Sequence, residues 1–429
     1  MRILVVSNFL PPRMLGGFEL ACYNISKGLI ARGHDVLVLT SPTELPLPEP
    51  QPFVDRCLSL RWVGGRGTPT NRAVLAAYRH EAQVSNESNT QIILDRIREF
   101  EPDVVMYFNL VGLGGLAILK AVDSIGVPWV MNLGDRVPAD LLANIPERVR
   151  AVFDAGSDGD LFSRGAACAV SQTLVDEIRT LGVELGDVEI IPRGVVMRDV
   201  RRRREYRQDG ITRFISAGAL QEHKGIGVIL HAVRLLLEEG TDPFLVDLYG
   251  AGRAEYFERM AETLGVVSHV RFNGSVSQRE VIEANAASDA FLFPTWAREP
   301  GASTPVEAAV GGTITILTGT CGPAERIVDG VHGMKIRRTP GDLANAMRSV
   351  ILGEVDLEKM GASARKLAAT DLSFDTSIGR VERFLDRVRR TRADGTLGGR
   401  SADAEALQRH DRAQELLHTG LDEGESLYA

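Results

Sequence analysis

Two glutamates eight residues apart, Glu299 and Glu307, bracket the richest chemistry in the chain, within PTWAREPGASTPVEAAVGGT at 294–313. The apolar run Ala290–Phe293 reads as a buried strand that Pro294 ends, and a loop follows. Thr304 then reads as a helix N-cap, Pro305 as the first helical residue and Glu307 as the third. Free N–H groups at such a helix start, reached through the small residues Gly301, Ala302 and Ser303, favour an anion. Two carboxylates do not bind an anion, so their partners would be hydroxyls. An anion flanked by hydroxyls describes a nucleotide sugar. The simpler alternative makes Glu307 half of a capping box and Glu299 a solvated loop charge.

Lys224 lies in GALQEHKGIG, following Gly218 and a strand-like run. An ammonium there could hold a diphosphate as a point charge, or be a surface lysine at a helix start. In PPRMLGG, Gly16 and Gly17 precede a helix and would let a phosphate or acceptor approach closely, with Glu19 complementing the helix dipole. A competing class comes from Gly112-Leu113-Gly114-Gly115-Leu116-Ala117. It matches a G-x-G-x-x-A dinucleotide fingerprint, with Asp135 about twenty residues on, and so reads as an NAD-dependent oxidoreductase. Gly250-Ala251-Gly252 lacks the third small residue, since Glu255 stands there. The eight histidines form no ligand cluster, and neither H-E-x-x-H nor G-x-S-x-G occurs; no metal and no cofactor is expected.

These residues must be positioned by a chain of 429 residues, long enough for two cores. Apolar content of 44% with 25% charged residues is that of a globular protein, and a net charge of −8 argues against a nucleic-acid partner. Four scattered cysteines without a C-x-x-C pair and the absence of a leader-like N-terminus point to the cytoplasm, with peripheral contact at the inner membrane face as the most membrane association expected. Strand-like runs alternate with helical patterns from residue 3 to 191 and again from 214 to 317. That alternation implies parallel sheets covered on both faces, with ligands beyond the strands' carboxyl ends. Residues 42–52 hold five prolines and read as a loop. Arg201 to Arg204 form a basic run, read as a solvated linker or a patch for anionic headgroups.

In this order and spacing, the motifs resemble the family-4 glycosyltransferases, retaining enzymes of the GT-B fold, over residues 1–390. Gly16-Gly17-x-Glu19 and ARGHDVLVLTS are similar to the family's opening, and Ile191-Pro192-Arg193-Gly194 to its interdomain signature. GALQEHKG looks like its phosphate-lysine segment and HVRFNGSV like its nucleobase-side strand. Glu299 and Glu307 match its E-x7-E motif, echoed afterwards by Gly322, Glu325 and Gly330. The resemblance implies that Glu307 holds ribose hydroxyls, that the Ser303 and Thr304 amides meet the diphosphate, and that Lys224 stabilises the departing phosphate. Glu299, with the Gly301 and Ala302 backbone, would grip the donor sugar, while Gly16 and Gly17 approach phosphate and sugar. Gly218 would line the donor site. Arg13, Gly134, Asp135 and Arg193 would lie toward sugar or acceptor.

The chain also departs from that pattern. Ala219 replaces an arginine usual beside the lysine segment; Arg13, Arg193 or Arg298 are candidates to substitute. Gly134 stands where a histidine is common, and Gly301-Ala302 replaces the usual Phe-Gly. The expectation is an α/β chain of two Rossmann-like domains with parallel sheets facing an interdomain cleft. Its parts are an acceptor-side domain at 1–195, a basic linker at 196–211 and a nucleotide-sugar domain at 212–373. A helix at 374–390 would pack back on the first domain, before a tail at 391–429. The expected activity is metal-independent, retaining transfer of a sugar from a UDP- or GDP-sugar to a hydroxyl of a saccharide, lipid-linked saccharide or small metabolite. The alternatives are a catalytically degenerate nucleotide-sugar-binding protein and the NAD-dependent oxidoreductase.

Overall fold

The computed structural model describes residues 1–14, 16–47, 49–63, 68–155, 160–197 and 205–393. The basic run Arg201 to Arg204 and the tail from 394 onward lie outside them. The chain divides into two compact units. The first comprises Met1–Ala169, Val175–Ile191 and the chain from Ile378; the second comprises Val170–Leu174 and Pro192–Ser377.

Short apolar runs build the first sheet: β1 (Arg2–Val6), β2 (Asp35–Leu39), β3 (Val54–Asp55), β4 (Val104–Tyr107), β5 (Trp129–Leu133), β6 (Ala166–Ala169) and β7 (Asp187–Ile190). Every residue of β4, β5 and β6 is buried, as happens when helices cover both faces of a sheet. The strand order is β3-β2-β1-β4-β5-β6-β7, all parallel. The helix Phe374–Ala393 supplies Val381, Phe384, Leu385 and Val388 to the same core as Ile3, Val5, Leu29 and Val36. Burying such side chains contributes about 1.5–3 kcal/mol each, so this helix is part of the first unit's core rather than an appendage.

The second unit repeats the design with β8 (Thr212–Ala217), β9 (Phe244–Tyr249), β10 (Val270–Phe272), β11 (Ala290–Phe293), β12 (Ile314–Thr318) and β13 (Gly333–Ile336). These strands are parallel in the order β10-β9-β8-β11-β12-β13. In both sheets the strand order reverses between the first strand and the fourth. Ligands bind beyond the carboxyl ends of strands at such a switch point. In the second unit the loops there are 218–225, after β8, and 294–303, after β11. Both were singled out by their chemistry. Among the described residues no helix is long and apolar enough to cross a membrane.

Candidate functional site

Lys224 ends a short 3-10 turn, Glu222–Lys224, and Gly225 follows at φ +83°. A Cβ on Gly225 would lie 2.0 Å from the Pro294 carbonyl oxygen, so only glycine lets this turn rest against the end of β11. The turn is pinned from both sides. The Trp296 N–H and Thr295 Oγ1 donate to the His223 carbonyl at 2.9 and 3.2 Å. The Arg338 guanidinium donates to the carbonyls of Glu222 (2.7 Å) and Pro294 (3.1 Å). The loops at the two sides of the switch are thereby tied together, and Lys224 Nζ forms an ion pair with Glu299 Oε2.

Glu299 is buried, and its backbone carbonyl accepts the Gly322 N–H at 2.8 Å. Gly322 itself must be glycine, because a Cβ would sit 2.0 Å from the Pro300 oxygen. Gly301 likewise has no room: its Cβ would fall 2.6 Å from Val170 Cγ2. That contact accounts physically for a small residue where the resemblance leads one to expect a bulky one. Glu325 binds backbone, accepting the N–H groups of Gln172 (2.9 Å) and Thr173 (2.7 Å).

The second glutamate belongs to the helix Thr304–Val310, whose N-cap is Ser303. The sequence reading placed the cap at Thr304. The helix begins one residue earlier, Thr304 is its first residue and Glu307 its fourth, so Glu307 is not a capping-box partner. Instead the Ser303 hydroxyl donates to Glu307 Oε1 at 2.9 Å, and Gln278 Nε2 donates to the same oxygen at 2.8 Å. Glu307 is buried with its other oxygen outside both bonds. Gln278 was missed by sequence reasoning; its signal was the capping box of Ser277 with Glu280, which fixes the start of the helix carrying it.

His223 and Trp296 were missed too. Their rings pack at a tilt of 40° with centroids 4.9 Å apart, and the Arg298 guanidinium lies over the indole at 4.8 Å. Burial, then the Lys224 charge, pushes His223 below its ordinary pKa, with Glu299 opposing and Arg338 assisting. Gly218 is exposed at φ +149°, its N–H donating to Tyr249 O at 3.0 Å; it leads the chain out of β8. A Cβ on Gly250 would lie 1.7 Å from the Gly218 oxygen, so the Gly250–Gly252 turn is a packing device.

The remaining candidates divide between the two units. Arg193 belongs to the second unit, and Arg13, Gly16, Gly17, Gly134 and Asp135 to the first. Gly16 caps the helix Gly17–Ala31, and its N–H is taken by Glu19 Oε2 at 3.0 Å. The Arg13 guanidinium lies 4.5 Å from the Phe9 ring centroid. Gly134 is buried after β5, and exposed Asp135 accepts the Arg136 N–H at 2.9 Å.

The G-x-G-x-x-A reading is corrected. The N–H groups of Gly112 and Gly114 both donate to the Ala82 carbonyl at 3.0 Å, and the Ala117 N–H donates to Val84 O at 2.8 Å. A Cβ on Gly114 would lie 2.2 Å from Asn86 N. These glycines accommodate the chain at 82–86, and the amides a pyrophosphate would need are occupied.

Comparison with known proteins shows the family. The family described as Glycosyl transferase 4-like domain matches residues 16–194, and Glycosyl transferases group 1 matches 198–367. The chain belongs to the family-4-type glycosyltransferases of the GT-B fold. It is 24% identical to glycogen synthase of Mycobacterium tuberculosis over 88% of this chain and 92% of that protein. It is 27% identical to the D-inositol 3-phosphate glycosyltransferase of Streptomyces griseus, over 59% of this chain and 54% of that one. Among solved structures, Anabaena HepE in complex with UDP and glucose superposes with a TM-score of 0.63 at 17% identity, covering 90% of this chain and all of that one.

Proposed function

We propose that this glycosyltransferase takes its sugar from a nucleoside diphosphate sugar and transfers it to a hydroxyl acceptor with retention of configuration and without a metal. The observation that carries the reading is the pairing of Lys224 with Glu299 at the second unit's switch point, beside a buried Glu307 held by Ser303 and Gln278. Glu307 presents its carboxylate to the ribose hydroxyls. The Ser303 and Thr304 amides and Lys224 meet the diphosphate, with Gly218 leaving room at the end of β8. Glu299 and the Gly301–Ala302 backbone take the hydroxyls of the sugar. The resemblance assigns Gly16 and Gly17 to phosphate and sugar, and Arg13, Gly134, Asp135 and Arg193 to the sugar or acceptor side.

As the bond from the anomeric carbon to the diphosphate breaks, negative charge grows on the leaving phosphate oxygen. Lys224 is released from Glu299 to meet that charge, and stabilisation there lowers the barrier directly. The acceptor oxygen forms its bond on the face the diphosphate leaves, and its proton passes to the departing phosphate. Arg338 stands in for the arginine missing at Ala219: its guanidinium is fixed on the Lys224 turn by two carbonyls and adds positive charge there. A thermal-shift panel of UDP, GDP, their sugar conjugates and NAD tests the donor. Stabilisation by one nucleotide family and none by NAD is expected. Nucleotide release with an acceptor panel, in the presence of EDTA, then tests transfer. Binding without release under any pairing would make the chain a nucleotide-sugar-binding protein rather than an enzyme.

A further inference from the structure

The first unit has its own switch point, between β1 and β4, and a cavity of about 450 Å³ opens beside it. Val111 and Gly112 line it just beyond β4, and Trp62, also lining it, packs its ring 5.3 Å from that of Phe9, just beyond β1. The volume is that of a small-molecule site. Its wall combines an indole and apolar side chains with two arginines and two amides.

The two arginines differ in what they have left to offer. Arg61 is committed: its Nε donates to Glu81 at 2.6 Å and its Nη1 to Ser59 Oγ at 3.1 Å. Arg79 also lines the cavity, is exposed, and makes no hydrogen bond or ion pair among the described residues. It sits on the helix Arg72–Gln83, three and four residues before Ala82 and Gln83, so all three share one face. Gln83 Nε2 donates to the carbonyls of Asp140 and Ala143, each at 3.3 Å, which fixes this amide at the wall beside Asn144. The Gly112 amide is not available to an anion, since it donates to the Ala82 carbonyl. Among the described residues that line the cavity, the Arg79 guanidinium is the one left without a hydrogen bond or ion pair, and it favours an anion there.

We propose that this cavity is the acceptor subsite, and that the acceptor is a saccharide bearing one anionic group, a phosphate or a carboxylate. This rests on the glycosyltransferase reading above. The anion takes the Arg79 fork, which matches the geometry of either group. The apolar face of the sugar ring lies on Trp62, and Gln83 and Asn144 meet its hydroxyls. A solvated surface arginine, by contrast, gives no discrimination between charged and neutral sugars.

Saturation-transfer NMR titrations of the full chain with glucose 6-phosphate, glucuronate and glucose test this. At least one of the two anions binds more tightly than glucose, and the tighter one tells a phosphorylated sugar from a uronic acid. Arg79→Gln weakens that binding by about tenfold to a hundredfold and brings it to the level of glucose; Trp62→Ala weakens all three. Glucose binding as tightly as both anions, no binding of either anion, or an Arg79→Gln variant that keeps the preference overturns the proposal. A separate titration of the wild type with UDP and GDP reads the donor site. Nucleotide binding without anion preference defeats this inference alone, whereas anion preference without nucleotide binding defeats the donor reading.

Discussion

Replacing Glu299 with glutamine separates the two roles its carboxylate plays. In the unliganded protein it neutralises Lys224; in the proposed complex it grips the sugar while Lys224 turns to the diphosphate. The Lys224 side chain is 24% exposed and that of Glu299 only 8%. Removing one partner of a fully buried pair costs about 3–5 kcal/mol, and of an exposed pair about 0–1. A pair with one arm in water belongs between, so Glu299→Gln lowers unfolding stability by about 1–2 kcal/mol.

The same substitution affects binding in the opposite sense. A bare nucleoside diphosphate must draw Lys224 away from Glu299, and the amide competes for the ammonium far less than the carboxylate does. The free nucleotide therefore binds as well as to the wild type or better, by up to about 1 kcal/mol, roughly fivefold. Sugar transfer loses a charged hydrogen bond to the donor hydroxyls, worth about 1.5–3 kcal/mol, so kcat/KM falls by about tenfold to a hundredfold. Calorimetric titration with the nucleotide and steady-state transfer assays on the same preparation measure both. A variant whose nucleotide affinity drops in proportion to its transfer rate refutes the reasoning, because Glu299 would then act on the nucleotide and not on the sugar.

Gly225→Ala forces a Cβ against the Pro294 carbonyl at a positive φ, so its urea midpoint falls by the equivalent of about 2–4 kcal/mol. Gln278→Ala removes one of two hydrogen bonds to Glu307 and weakens binding of the ribonucleotide by about three- to tenfold. The affinity of its 2′,3′-dideoxy analogue, which cannot use Glu307, changes little; an equal loss for both would place Glu307 elsewhere. Burial holds His80, His223 and His332 below the ordinary histidine pKa. The unfolded chain then binds more protons than the folded one below about pH 6.5, so stability falls as pH drops through that value toward the folded pKa values. His223→Gln makes the decline of Tm shallower, and an unchanged slope would show that His223 titrates alike in both states.

The alternation of apolar runs with helical patterns made both halves legible, because buried parallel strands are near-continuous apolar segments. The apolar run Ala290–Phe293 gave the bounds of β11 directly. Two edge strands escaped. β3 is two residues long, and Gly333-Met334-Lys335-Ile336 of β13 places a glycine and a lysine in a run too short to show a period. The dinucleotide pattern misled for an instructive reason. Glycines that admit a phosphate and glycines that admit another chain segment have the same spacing. Only the partners of their N–H groups distinguish them, and those partners, Ala82 and Val84, lie some thirty residues away in sequence. Long-range contact decided the site's finer parts too. Gln278 and Arg338 carry no motif, yet one fixes Glu307 and the other fixes the Lys224 turn.

That pattern explains how the chain can lack the arginine expected at Ala219 and still present a cationic site. Sequence places a charge by its neighbours along the strand, whereas the field at a switch point sums over every strand end that reaches it. Arg338, two residues beyond β13, holds the carbonyls of Glu222, in the turn that carries Lys224, and of Pro294, one from each of the loops that form the switch. It therefore does two things a residue at 219 could not do at once: it adds positive charge and ties the two loops together. In the proposed site one guanidinium performs both, so the Lys224 turn depends on the register of β13 against β12, where Leu317 faces Lys335 and Thr318 faces Ile336. A slip of one residue there would turn Arg338 away and leave Lys224 to Glu299 alone.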